Sequence, residues 1–165
     1  RCLLRLADRT AAPLVMLADV SGRLIIYRGR LSEMQSTGLA ALAAGGFAAA
    51  SEIGNFLGLR EGFQRQLLEG GLANLYIVKV GPEMLLIVAY TGKTTLGMVR
   101  IFSQQAQQEL LAFADEVMQW QLTRGRSAVL EKPARSLAWD QPPLQATQTN
   151  PCVKQVLTDM CYYGR

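Results

Sequence analysis

Two β-rich runs open the hydrophobic pattern. Pro13 to Val20 (PLVMLADV) is apolar, partly branched, and closes on Ser21-Gly22; Arg23 to Tyr27 (RLIIY) resumes the pattern and ends at Arg28-Gly29. Two such runs around a Ser-Gly turn predict a hairpin. Leu39 to Leu57 is Ala-rich, opened by Ser36 or Thr37 and stopped by Gly58, and predicts a helix. A short strand is expected at Arg65 to Leu68. Asn74 to Val80 (NLYIVKV) and Met84 to Tyr90 (MLLIVAY) then flank Gly81-Pro82-Glu83 as a second hairpin. Thr94 or Thr95 caps a long helix, about Leu96 to Leu122, in which Leu96, Val99, Ala106, Leu110, Phe113 and Val117 recur on one face. The order β-β-α-β-β-β-α, with strands arriving as hairpins, predicts an α+β layered domain around a largely antiparallel sheet.

Beyond Arg124-Gly125-Arg126 the pattern changes. Pro133, Pro142, Pro143 and Pro151 punctuate a Gln- and Thr-rich stretch without periodicity, as a linker or strap does. The expected organisation is a domain over residues 1–123 and an extension over 124–165. Within the extension, Val153 to Tyr163 can form two turns of helix, with Val156, Leu157 and Met160 as apolar contacts.

The first long helix is apolar on every side. Leu39, Leu42, Ala43, Gly46, Ala50, Ile53 and Leu57 form a stripe suited to packing on a sheet. The other side offers Ala41, Ala44, Gly45, Ala48 and Ala49 before Glu52 appears. A helix at the surface of a monomer should carry charge there. Two readings compete: the helix is enclosed by its own domain or C-terminal tail, or it packs against its own copy in a twofold dimer. The dimer is favoured, which makes Ala41, Ala44, Gly45, Ala48, Ala49 and Glu52 the candidate dimer or partner interface.

Composition narrows the chemistry. Half of the 165 residues are hydrophobic and 18% are charged, enough apolar material for a core. The net charge of +4 is spread over scattered Lys and Arg, which argues against a nucleic-acid role. Residues 1–20 lack the apolar stretch of a signal peptide, and the run from Gly38 to Ala50 is too short to span a bilayer. Three cysteines without a CxxC pair fit a reduced, cytoplasmic chain.

With no histidine in the sequence, the usual Ser-His-Asp and Cys-His systems are absent, and no carboxylates stand at metal-ligand spacing. Gly92-Lys93-Thr94 has the end of a phosphate-binding loop, but the glycine required five residues earlier is Ile87, inside a strand. A glycine turn with a threonine cap suffices. No catalytic residue, cofactor or metal is therefore expected. Arg28, Arg30, Arg60, Arg65 and Arg100 remain as surface arginines able to reach a partner's phosphate site.

Several segments, in this order, resemble the roadblock family and, within it, the bacterial MglB-type regulators. They are Ala18-Asp19-Val20-Ser21-Gly22 with Leu24-Ile25-Ile26, the Ala-rich helix from Leu39 through Ile53-Gly54, Leu75-Tyr76-Ile77-Val78, Leu85-Leu86-Ile87-Val88, and Thr95-Leu96-Gly97-Met98-Val99-Arg100. The resemblance spans about residues 10 to 120. It implies a profilin-like sandwich with a five-stranded antiparallel sheet, homodimers whose paired Ala-rich helices form a platform, and binding to a small Ras-like GTPase. For MglB-type members it further implies GTPase activation by reshaping the GTPase's own catalytic groups, with a C-terminal segment as an extra contact in some. A structural adaptor that never meets a GTPase is the alternative. The family's first helix, ahead of the first strand, is represented at most by Cys2 to Arg9.

Overall fold

The computed structural model describes residues 1–60 and 62–124. The elements run α1 (Cys2–Thr10), β1 (Leu14–Asp19), β2 (Leu24–Gly29), α2 (Glu33–Phe56), β3 (Arg65–Leu68), β4 (Asn74–Val80), β5 (Met84–Tyr90) and α3 (Leu96–Thr123). Residues Arg1–Leu111 form one compact unit, and the end of α3 beyond it belongs to a second.

The five strands make one sheet in the order β2-β1-β5-β4-β3, antiparallel at every pairing. Each hairpin contributes its inner strand to the β1–β5 seam, so β1 and β5 are central. Their residues Val15, Met16, Ile87 and Val88 are all fully buried. Such unbroken apolar runs are what a strand covered on both faces requires; a half-solvated sheet would alternate apolar and polar positions.

The first hairpin is held by a single carboxylate. Asp19 Oδ1 accepts hydrogen bonds from Ser21 Oγ at 2.6 Å and from the Arg23 backbone N–H at 2.8 Å, while Oδ2 meets Arg23 Nε at 3.1 Å. The Ser21 hydroxyl, and then the Arg23 amide, hold this carboxyl below its usual range. Gly22 takes φ +91° and lies so close to α2 that a Cβ there would stand 2.7 Å from Ala41 Cα. Beyond the turn the register shifts by one residue, leaving Ile25 as the extra residue of a bulge on the β2 edge.

The two sheet faces are covered differently. On one, α1 and α3 bury Leu3, Leu6, Val99 and Ala106 against Val15, Leu17, Tyr76, Val78 and Val88. On the other, α2 alone buries Ala40, Ala43, Ala44 and Phe47 against Met16, Ala18, Ile77 and Ile87.

Helix α1 precedes the first strand, over the stretch Cys2 to Arg9 that the sequence offered for it and one residue beyond. It is tied to α3 by Arg5 Nη2 on Glu109 Oε2 at 2.6 Å, by Arg9 Nη1 on Gln105 Oε1 at 3.1 Å, and by the Arg9 guanidinium over the Phe102 ring at 4.9 Å. Cys2 lines the groove between α1 and α3 together with Arg5, Arg9, Phe102 and Glu109. Burial, reinforced by Glu109, pushes its thiol up to about 11, so it is held as an unreactive thiol.

The long α3 begins at Leu96, with Thr95 Oγ1 accepting from the Met98 backbone N–H at 3.4 Å. Its sheet-facing stripe is only partly as expected. Val99 and Ala106 are buried and Leu96 and Leu110 pack beside them, whereas Phe113 is 63% and Val117 40% exposed. In the second unit Arg124 stacks over the Trp120 ring at 4.2 Å.

Helix α2 corrects two expectations. It starts six residues before Leu39, at Glu33, behind a capping box: Ser32 Oγ accepts from the Gln35 N–H at 3.2 Å, and Gln35 Oε1 accepts from the Ser32 N–H at 3.0 Å. Its rotation about its own axis also differs. Leu42, Ile53 and Leu57, assigned to the sheet, are 76%, 58% and 68% exposed, and Ala44, assigned to the outside, is buried. The sheet-facing set is Ala40, Ala43, Ala44 and Phe47, the i, i+3, i+4, i+7 pattern centred on small side chains. Placing α2 this way seats Phe47 in the core and lets the backbone approach the sheet closely.

Candidate functional site

The outer face of α2 is the most unusual surface among the described residues. Between Glu33 and Glu52 the helix has no ionisable side chain. Ala41, Gly45, Ala48, Ala49 and Glu52 all face outward, as the sequence expects. Ala44 does not: it belongs to the core beneath, because it shares the sheet-facing side with Ala40 and Phe47.

Four large side chains complete the surface that the sequence had placed elsewhere or overlooked. Met34, Leu42, Ile53 and Phe56 are all exposed, Phe56 by 92%. The face is therefore a smooth floor of Ala and Gly with Leu42 beside its middle, and its ends carry the bulky Met34, Ile53 and Phe56. Small residues admit a second backbone at close range, and large ones at the ends supply the apolar area to be buried. On the same side of the sheet, edge strand β3 presents a half-exposed Leu68, opposite Leu75 in the register, and nearby Leu72 is 93% exposed.

The remaining candidates fall into place differently. Gly92-Lys93-Thr94 lies in the turn joining β5 to α3, where the Thr94 N–H bonds to Thr91 O, and Ile87 sits fully buried mid-strand. Among the described residues no group of His, Cys, Asp and Glu is placed to hold a metal ion. No helix there is long and apolar enough to cross a membrane. Of the five surface arginines, Arg65 stands opposite Val78 on edge strand β3, on the sheet face away from α2, and Arg100 is exposed on α3. The tail candidates Val156, Leu157 and Met160 lie outside the described residues.

An antiparallel five-stranded sheet with one apolar helix on one face and two helices on the other is a roadblock-type sandwich. Residues 2–89 match the model of the Roadblock/LC7 domain, and the chain belongs to that family. Among solved structures it is similar to MglB of Myxococcus xanthus, with 36% identity over 64% of this chain and 85% of that one, at a TM-score of 0.60. It is also similar to the gliding protein MglB of Thermus thermophilus, with 26% identity over 64% and 80% of the two chains and a TM-score of 0.59. An MglB with a tetrameric arrangement aligns at 25% identity over 70% and 86%, with a TM-score of 0.64. A search of curated protein sequences returned no match.

Proposed function

We propose that this chain is a non-catalytic regulator of a small Ras-like GTPase, acting as a homodimer built on the outer face of α2. The observation that carries the reading is that face itself: Ala41, Gly45, Ala48 and Ala49 flanked by exposed Leu42, Ile53 and Phe56. An apolar surface of this kind is costly in water, and a twofold contact removes it in both copies at once. Similarity to MglB supports the GTPase as partner, through the activity that the family resemblance implies. The tetrameric arrangement of one MglB supports self-association. In this reading the GTPase keeps its own catalytic groups, and the chain supplies a shaped surface rather than a nucleophile or base. The extension, through Val156, Leu157 and Met160, adds a contact to the GTPase or to the dimer.

The deciding experiment is a pull-down of candidate small GTPases, each loaded with GTP or GDP, together with light scattering on the chain alone. Retention that depends on the nucleotide, by a chain that is dimeric at micromolar concentration, is the expected result. A monomer under those conditions removes the dimer. A dimer that retains no GTPase in either state leaves the structural-adaptor reading in its place.

A further inference from the structure

We propose that the free edge of β2 accepts an extended, acidic segment of a partner protein as an added antiparallel strand. Strand β2 ends the sheet on the side opposite β3, and its one sheet neighbour among the described residues is β1. Alternate residues of Leu24–Gly29 therefore turn their backbone N–H and C=O groups away from β1, a row that water or another strand must pair. The edge is separate from the outer face of α2, so the proposal depends neither on the dimer nor on a GTPase.

The two faces of β2 are used differently. Leu24 and Tyr27 pack against the core under α2. Ile26 and Arg28 stand opposite Leu17 and Val15 and share the other face, where both are exposed. Ile25, the extra residue of the bulge, is exposed as well. Two consecutive isoleucines, 50% and 42% exposed, thus lie on an edge strand. Bulges and charges can keep an edge from pairing. Here, however, the bulge lies at the turn end and leaves Ile26 to Gly29 in regular register with β1. The arginines stand beyond the isoleucines rather than between them.

Charge selects the occupant. Arg28 and Arg30 are exposed, and neither forms an ion pair among the described residues. No Asp or Glu occurs from Leu24 to Ser32, and Asp19 at the turn is committed to Ser21 and Arg23. A second copy of β2 would double the unpaired guanidinium groups in one seam without a carboxylate between them, and like charges across strands destabilise. A partner segment with carboxylates opposite Arg28 and Arg30, and an apolar side chain opposite Ile26, answers every feature of the edge. The backbone row supplies affinity for a strand, and the guanidinium forks fix its register and direction.

The test uses the full chain labelled with ¹⁵N and the acetylated, amidated peptide Glu-Thr-Glu-Thr-Ile-Thr-Ile, titrated at low salt. In an antiparallel pairing its acidic end lies opposite Arg28 and Arg30. The backbone amide signals of residues 24–30 are expected to shift saturably. The analogue with Gln in place of both Glu should bind about tenfold more weakly, and Arg28→Gln and Arg30→Gln should each weaken binding about threefold, as exposed charge pairs do. Two further peptides carry N-methyl groups on alternate amides, one set along each edge of the strand. Only the peptide methylated on the edge that meets β2 should lose binding. The absence of a saturable shift in residues 24–30 overturns the proposal. So do methylated peptides that behave alike, or a Gln analogue that binds as tightly as the acidic peptide.

Discussion

Helices α2 and α3 cover opposite faces of one sheet, and they show how differently a sequence can encode a buried helix. In α3, Val99 and Ala106 point at the sheet while Arg100, Gln104 and Gln108 point away. Polar residues mark the solvent side and thereby fix the rotation of the helix. In α2 no such mark exists between Glu33 and Glu52. The choice of buried side then falls to shape. Phe47 and the small residues Ala40, Ala43 and Ala44 fit the sheet more closely than a row of leucines, and Leu42, Ile53 and Phe56 are left outside. A helix with apolar residues all round has two faces to satisfy, and its larger side chains need not go to its own core.

The sharpest way to break this comparison is to put the same charge on each side of α2. Ala44→Glu buries a carboxylate in the core with no partner, and should destabilise the domain by about 3–5 kcal/mol, enough to unfold much of it. Ala48→Glu, four residues on and outward-facing, should leave monomer stability within about 0.5 kcal/mol while preventing the proposed self-association. Urea unfolding and light scattering on both variants decide the matter. If Ala44→Glu folds normally and Ala48→Glu does not, α2 is rotated relative to the arrangement described. Phe47→Ala tests the same rotation by subtraction. Removing a ring that is only 4% exposed should cost about 3–4 kcal/mol, whereas a Phe47 directed to solvent would cost almost nothing.

Most of the fold was legible because its signals are local. The strands Arg65–Leu68, Asn74–Val80 and Met84–Tyr90 carry their own apolar runs and turn residues and were placed to the residue. The rotation of α2 was illegible for the opposite reason: it depends on what lies across the sheet, and leucine size was a misleading guide. Helix α1 was legible only through the family resemblance, at Cys2 to Arg9, because nine residues with three leucines give little periodicity. Its ties to Phe102, Gln105 and Glu109 come from residues about 100 positions away.

A smaller effect is expected at the contact between the first hairpin and α2. Gly22→Ala forces a side chain onto a backbone at φ +91° and aims its Cβ at the Ala41 backbone, so that strand or helix must shift. A loss of about 1–3 kcal/mol in denaturant unfolding is expected. An unchanged midpoint would mean that the hairpin does not rest on α2, and that the helix is positioned by its sheet-facing residues alone.

The smallest effect concerns where α2 begins, and there the sequence held a signal that composition obscured. Ser32-Glu33-Met34-Gln35 fits the Ser-x-x-Gln capping box, but the Ala-rich run starting near Leu39 drew the predicted boundary inward. In the structure the Ser32 hydroxyl and the Gln35 side chain each satisfy the other residue's backbone N–H. Glu33 adds a negative charge in the first turn, where the helix dipole favours it. Ser32→Ala removes one of the two reciprocal bonds and should cost about 1 kcal/mol; Gln35→Ala should cost somewhat less, because the serine cap remains. The two losses should fall short of additive in the double variant, since each side chain orders the other. Hydrogen exchange at the amides of residues 34–38 reads the effect locally, and should quicken there while the amides around Phe47 keep their protection. Exchange that is already fast in the wild type would place the working start of α2 near Leu39, and the six residues before it would then have no part in holding the helix on the sheet.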